Sequence, residues 1–197
     1  MIRAALFWIV CATFLLSSCG GSLVIHDASS FPENKIKDAP FAMQGRFSAQ
    51  AGDDVYVAAF DWRHAPPRDA IDFVSPLGNR IASLTRDEKE IVIMRGNDNR
   101  GVWQGSDLQT LTQETLGFPL PVDGLIFWIR GIPTPRKTNG IALDAQGRLA
   151  QLKQEGWVID YQYARTDAAL PLQIDARYGE TISLRIRIDA WLNDDND

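Results

Sequence analysis

The most reactive side chains in this sequence belong to two cysteines and two histidines. Cys19 follows Leu16, Ser17 and Ser18, so an aliphatic residue and two small residues stand directly before a thiol. This pattern suits lipoprotein processing, in which the sulfur takes a diacylglycerol, small residues admit the peptidase, and the freed amine can take another acyl chain. The sequence therefore predicts a precursor in which Cys19 becomes the first residue of the mature protein and carries covalent lipid.

The residues before Cys19 have the layout of a secretory signal peptide. Arg3 supplies one positive charge, and the following run from Ala4 to Leu16 is almost entirely apolar. A comfortable bilayer span needs ~20 residues, so we expect residues 1–18 to be removed rather than retained as an anchor. Gly20 stands where an Asp tends to retain lipoproteins at the inner membrane of enteric-type bacteria, and therefore permits export to the outer membrane. An ordinary signal peptide with a chance cysteine is the alternative.

Removal of the signal peptide would leave no free thiol, because Cys11 is discarded and Cys19 is lipidated. His64 is the histidine expected in the folded part, in a loop between two strands, which argues against a zinc site. The sequence contains no G-x-S-x-G, phosphate-loop or dinucleotide motif. The net charge of −5 argues against a nucleic-acid partner. We therefore expect no enzymatic activity, no metal, and no cofactor besides the lipid on Cys19.

The rest of the chain divides into three segments. Residues 19–40 mix polar residues and proline without periodicity, which is typical of a lipidated tether, although ordered packing of this segment is an alternative. Residues 41–192 have the patterns of a folded domain. Residues 193–197 form an acidic tail that we expect to be solvated, with a calcium site as the less favoured interpretation.

Within the domain, apolar and polar residues alternate with a period of two, which predicts strands with one buried face. The alternation is clearest in Phe41–Gln50, Val55–Trp62 and Ile182–Asp189. On such strands we expect the carboxylates to face solvent. Helical periodicity replaces the alternation in the middle of the domain, at Leu108–Leu116 and Asp123–Arg130. We thus expect about ten antiparallel strands, interrupted once by two helices.

This order of elements predicts a mainly β fold with inserted helices. So many strands must close or curl, and the helices need an apolar surface to cover. We expect an open, incomplete antiparallel β-barrel with a helical lid over an apolar cavity, although a filled core has the same pattern. The residues expected to line the cavity are apolar and lie in the inward phase of strands or on the lid. They are Phe47, Phe60, Trp62, Leu125, Trp128, Ile174, Leu184 and Ile186.

An ordered series of short motifs in the domain, from about Phe41 to Trp191, resembles the family of the outer-membrane lipoprotein receptor LolB. The motifs are Phe60–Trp62, Ser75–Gly78, Leu116–Val122, Leu125–Pro133, Gly156–Tyr161 and a closing strand that ends at Trp191. The resemblance implies an open antiparallel β-barrel with a helical lid and a lipid-binding cavity. The periodicity indicates the same architecture.

The resemblance also implies a function. A member of this family would be a lipid-anchored, monomeric receptor on the periplasmic face of the outer membrane. It would accept acylated lipoproteins from the periplasmic carrier LolA and insert them into the inner leaflet. The family's membrane-insertion loop carries an exposed Leu, and the corresponding residues here are Pro76, Leu77 and Gly78. The alternatives are a lipid-binding envelope regulator of the same open-barrel class and a structural assembly lipoprotein with a filled core.

Overall fold

The computed structural model describes residues 24–26, 37–96 and 101–192. The predicted signal peptide, Cys19 and the acidic tail lie outside these residues. The described part contains one antiparallel sheet and two α-helices. The strands are β1 (Val24–His26), β2 (Phe41–Ala51), β3 (Asp54–Ala65), β4 (Arg68–Val74), β5 (Arg80–Arg86), β6 (Ile91–Arg95), β7 (Gly101–Gly105), β8 (Thr138–Leu143), β9 (Leu149–Gln154), β10 (Trp157–Gln162), β11 (Gln173–Tyr178) and β12 (Ile182–Leu192), and the helices are α1 (Leu108–Leu116) and α2 (Val122–Trp128).

The strands follow the order β1-β8-β9-β10-β11-β12-β2-β3-β4-β5-β6-β7 across the sheet. In the described part of the chain, β1 and β7 stand at opposite ends of this order, so the sheet is open rather than closed. Both helices lie between β7 and β8 in the chain. The prediction of a mainly β, open antiparallel fold with inserted helices is thereby confirmed. Neither described helix is long and apolar enough to cross a membrane.

The alternation in the sequence sets which face of each strand is buried. In β12, Leu184, Ile186 and Ile188 are buried, whereas Arg185 and Arg187 between them are exposed. The buried faces of the strands and the apolar residues of both helices form one hydrophobic core. Each fully buried aliphatic side chain of this kind contributes roughly 1.5–3 kcal/mol relative to an exposed position. The helices are therefore held mainly by the apolar surface that they cover.

Local signals also place the helix ends. Asp107 caps α1 by accepting a hydrogen bond from the Thr110 amide at 2.6 Å. Gly117 ends this helix with φ of +80°, a left-handed conformation that glycine adopts without strain. Helix α2 is shorter than the predicted Asp123–Arg130, because the Arg130 and Gly131 amides bond to carbonyls three residues back and tighten the last turn.

Two features differ from the sequence-based expectation. The prediction that His64 lies in a loop is wrong, because β3 continues to Ala65 and β4 begins at Arg68. Pro66 and Pro67 alone form the turn between these strands, a position that needs no amide donor. In addition, Val24–His26 pair with β8 at the sheet edge, so the segment predicted to be a tether contributes a strand to the sheet.

Candidate functional site

Helix α2 covers part of the inner face of the sheet and leaves a small apolar cavity of about 20 Å³ beneath it. This volume suffices for roughly one water molecule. The space between α2 and the strands that line this cavity is therefore nearly filled. The lining is entirely apolar and consists of Phe47, Phe60, Trp62, Ile71, Phe73, Leu120, Val122, Leu125 and Ile186. It includes five of the residues predicted to line an acyl-chain cavity, namely Phe47, Phe60, Trp62, Leu125 and Ile186.

The other three predicted residues, Trp128, Ile174 and Leu184, are buried but do not line this cavity. Trp128 is fully buried at the end of α2, where its Nε1 donates to Gln154 Oε1 at 3.0 Å. Its ring also lies 6.1 Å from that of Trp157, centroid to centroid. Trp128 therefore fixes the end of α2 to the sheet. The periodicity of a strand or helix predicts that a residue is buried. It does not predict whether that residue lines a cavity.

Polar contacts hold both ends of α2. Asp123, in the first turn of the helix, accepts a hydrogen bond from the guanidinium of Arg86 on β5. Just after the helix, Arg130 donates to the backbone oxygen of Lys37 at 2.9 Å. The guanidinium carbon of Arg130 also lies 5.5 Å from the centre of the Phe127 ring. Opening the lid therefore requires these contacts to break or the surrounding segments to move with the helix.

A buried polar network adjoins the apolar cavity and connects to the lid. Asp69 on β4 accepts hydrogen bonds from Trp62 Nε1 at 2.9 Å and from Arg86 Nε at 2.8 Å. Asp69 Oδ1 also lies 2.8 Å from His64 Nδ1, and His64 Nε2 lies 2.6 Å from Asp38 Oδ1. His64 and Asp69 are both only 3% exposed. The network joins β3, β4 and β5 to the segment before β2, and reaches α2 through Arg86.

The sequence patterns considered above do not predict this network, and the expectation that strand carboxylates face solvent is wrong for Asp69. The alternating positions of Asp69 and His64 along their strands could have indicated that both are buried. Asp69 lies two residues before the buried Ile71, and His64 lies two residues after the buried Trp62, so each polar residue shares the inward face of its strand. A buried carboxylate needs partners, and the facing strands supply them.

The network is arranged for stability rather than for catalysis. Both ring nitrogens of His64 face carboxylate oxygens, so the protonated ring can donate both of its N–H groups. Neither nitrogen remains available to accept a proton from a substrate. Burial by itself raises the pKa of Asp69, but hydrogen bonds from His64 and Trp62 and the charge of Arg86 bring that pKa below its ordinary value. Within the described residues, no group of three or more His, Cys, Asp or Glu side chains could hold a metal ion.

The environment of His64 predicts a pH dependence of stability. Burial by itself lowers the pKa of His64, but hydrogen bonds to Asp69 and Asp38 and their negative charges outweigh burial and raise the pKa above 6.5. A raised folded-state pKa stabilises the fold fully below the unfolded-state value, and this contribution is lost as pH rises through the folded-state pKa. We therefore expect the free energy of unfolding to fall as pH increases above about 6.5.

Urea unfolding from about pH 6 to about pH 9 would measure this dependence, with the variant His64→Gln as the comparison. We expect the decline in the wild-type protein to be absent or much smaller in His64→Gln. Equal declines in the two proteins would assign the pH dependence to other groups.

The turn between β4 and β5 exposes an apolar side chain. The Ser75 carbonyl accepts from the Gly78 amide at 2.9 Å, and the Ser75 amide donates to the Asn79 carbonyl at 2.8 Å. Pro76 restricts the backbone at the start of the turn, and Gly78 has φ of +82°. Leu77, between them, is 89% exposed. The predicted loop of Pro76, Leu77 and Gly78 therefore holds Leu77 away from neighbouring strands.

Comparisons with known proteins agree with this architecture. The family model described as "Outer membrane lipoprotein LolB" matches residues 39–191. An outer-membrane lipoprotein LolB of Chromobacterium violaceum is 33% identical over 192 residues, which cover 97% of this chain and 99% of the relative. One of Pseudomonas aeruginosa is 30% identical over 203 residues, which cover 96% of this chain and 97% of the relative.

A similar fold is found in a solved structure of a DUF1329 family protein from Desulfovibrio piger. That structure has a TM-score of 0.50 and 8% sequence identity, and the match covers 84% of this chain and 90% of the other. This likeness concerns the fold alone. The match of the LolB model to most of the chain, together with relatives that are similar along nearly their whole length, shows that the chain belongs to the LolB family of outer-membrane lipoproteins.

Proposed function

We propose that this protein is the lipid-anchored receptor that accepts lipoproteins from the periplasmic carrier LolA and inserts them into the inner leaflet of the outer membrane. It would act on the periplasmic face, as a monomer. The observation that carries the proposal, given the family, is the apolar interior between the sheet and α2. Leu77 supports it, because an exposed apolar side chain on a turn is suited to contact a bilayer.

The physical need for such a receptor follows from the cargo. A triacylated lipoprotein has ~45 methylenes, and at ~0.8 kcal/mol each their exposure to water would cost over ~30 kcal/mol. Acyl chains must therefore stay inside a protein during transfer. In the structure α2 lies against the sheet, and the interior cavity of about 20 Å³ is too small for acyl chains. Cargo would displace α2, and its chains would take the place of the contacts that α2 makes with the sheet.

The proposed transfer needs no covalent chemistry. His64 and Asp69 are engaged with each other and with Trp62 and Arg86, and so serve the fold. The cargo would pass down a gradient of affinity from the carrier to this receptor and then to the bilayer.

The lipid on Cys19 would keep the receptor at its target membrane. We expect Cys19→Ala to abolish acylation and processing while leaving the domain folded, because the domain's core is built from residues further along the chain. Metabolic labelling with a tagged fatty acid would measure acylation, and circular dichroism of the purified variant would measure folding. A variant that still carries label, or one that is unfolded, would contradict this prediction.

Depletion of the protein in its parent bacterium tests the proposed function. We expect lipoproteins to accumulate in the soluble periplasmic fraction, still bound to their carrier, and to return to the outer membrane when the wild-type chain is restored. Unchanged lipoprotein localisation after depletion would contradict the proposal. A defect confined to envelope structure or its regulation would instead favour an assembly or regulatory role.

A further inference from the structure

A second apolar cavity, larger than the interior one, lies near the turn that carries Leu77. Its volume is about 300 Å³, at the low end of the ~300–1,000 Å³ typical of small-molecule pockets. We call it the β3 cleft. Its lining is formed by Phe47, Val55, Tyr56, Val57, Ala58, Phe73, Ile81, Ala82, Arg95 and Phe118. Arg95 is the one charged side chain among them.

The β3 cleft coincides with a gap in the sheet. The consecutive residues 55–58 all line it, although neighbouring side chains of a strand point to opposite faces. The pairing of β3 with β4 stops at Ala59 and Val74, so residues 54–58 have no partner on β4. After Val74 the chain enters the turn that carries Leu77. The cleft therefore lies where residues 54–58 pair with β2 but not with β4, and residues from both faces of β3 line it.

Two aromatic rings separate the β3 cleft from the interior cavity. Phe47 and Phe73 line both spaces, and their ring centroids are 5.8 Å apart. Phe47 is buried and Phe73 is half-buried. Both rings therefore belong to the wall that the two spaces share. The outer and inner cavities are therefore adjacent, with two aromatic side chains between them.

The outer end of the β3 cleft is unusually apolar for a protein surface. Val55 and Val57 on β3 are 64% and 61% exposed, and Ile81 on β5 is also exposed. Leu77 projects from the adjoining turn. Apolar residues clustered in this way mark a surface that contacts an apolar partner.

We propose that the β3 cleft is the portal through which the acyl chains of the cargo pass between the interior and the bilayer, with Phe47 and Phe73 as its gate. This inference rests on the proposed function and assigns a route within it. An acyl chain suits the route because the inner cavity is lined only by apolar residues. A peptide segment that followed the same route would leave its amide and carbonyl groups unpaired there.

Photo-crosslinking in the parent bacterium tests the portal. The photoreactive residue p-benzoylphenylalanine would replace Val57 or Ile81 in the full-length chain, and Val102 on β7, also exposed and apolar, would be the control position. Each variant would be produced beside the wild-type chain, which maintains lipoprotein localisation, and would first be shown to be folded. We expect severalfold more adducts at the two portal positions than at the control, with masses that place the crosslink on the acyl chains of lipoproteins.

Adducts no more frequent than at Val102, adducts only to polypeptide, or adducts only to phospholipid would each overturn the portal. In those cases the loss of lipoprotein localisation on depletion of the wild-type chain would leave the receptor function standing. Failure of the proposed function would instead appear as normal localisation after depletion. The two failures are therefore distinguishable.

A blocking variant gives a second measurement. Val57→Trp would fill the portal with a bulky apolar side chain at an exposed position, and Val102→Trp would be the matched control. We expect Val57→Trp to slow cargo delivery to liposomes severalfold while keeping the unfolding midpoint of the wild-type protein. Delivery by Val57→Trp at the rate of the control would place the route elsewhere.

Discussion

Leu77→Glu is expected to leave the protein folded and able to receive cargo from the carrier, and to block release of that cargo into membranes. Leu77 is 89% exposed, so its replacement removes almost no packing from the core. Insertion of one Leu into the bilayer would stabilise docking by roughly 1.5–3 kcal/mol. This is too little to anchor the protein but enough to orient it. A carboxylate on the same turn would instead oppose entry into the apolar layer.

The assay is reconstituted transfer to liposomes, with the carrier-to-receptor and receptor-to-bilayer steps measured separately. Val102→Glu is the control, because it places the same charge at another exposed apolar position, on β7. We expect the control to resemble the wild-type protein in both steps. Delivery by Leu77→Glu at the wild-type rate would reduce Leu77 to an ordinary turn residue.

Asp69→Ala is expected to destabilise the fold by about 3–5 kcal/mol, the usual cost of removing one partner of a buried charged group. The Asp69 side chain has no exposure to solvent and contacts three partners, Trp62, His64 and Arg86. Its loss would leave the Trp62 and His64 groups without that acceptor in the core. Arg86 would lose one of its two carboxylate partners and keep the other, Asp123 of α2.

Urea unfolding followed by tryptophan fluorescence would measure this effect, with Asp72→Ala as the control. Asp72 lies on the same strand, but its contact with Arg80 is long at 3.5 Å and both side chains are nearly half exposed. We expect the control to change stability by less than about 1 kcal/mol. Similar losses in the two variants would show that the buried network contributes no more than a surface ion pair.

Several features of this protein follow from short stretches of sequence. Lipid attachment at Cys19 stays a prediction, which rests on the four residues that end there. The inward phase of β12 follows from simple alternation, and the end of α1 follows from Gly117, which adopts the left-handed backbone there without strain. In each case the physical cause acts between neighbours in the chain. The local sequence pattern is therefore sufficient to predict these features.

Other features depend on contacts between distant segments. The sequence pattern assigned His64 to a loop, whereas strand pairing brings it between Asp38 and Asp69 and buries all but 3% of its surface. Trp128 was predicted to line the cavity, but its hydrogen bond with Gln154 holds it elsewhere in the core. A local sequence pattern cannot predict these contacts, because they form only when the strands and α2 pack together.

The position and size of the interior cavity and of the β3 cleft depend entirely on the tertiary structure. The inward phase correctly placed Phe47, Phe60 and Ile186 in the interior, but the volume left between them depends on how α2 packs across the sheet. Similarly, the β3 cleft exists because the pairing of β3 with β4 ends at Ala59. Sequence periodicity determines which way a side chain points. The register of the strands and the packing of the helices determine which residues that side chain contacts.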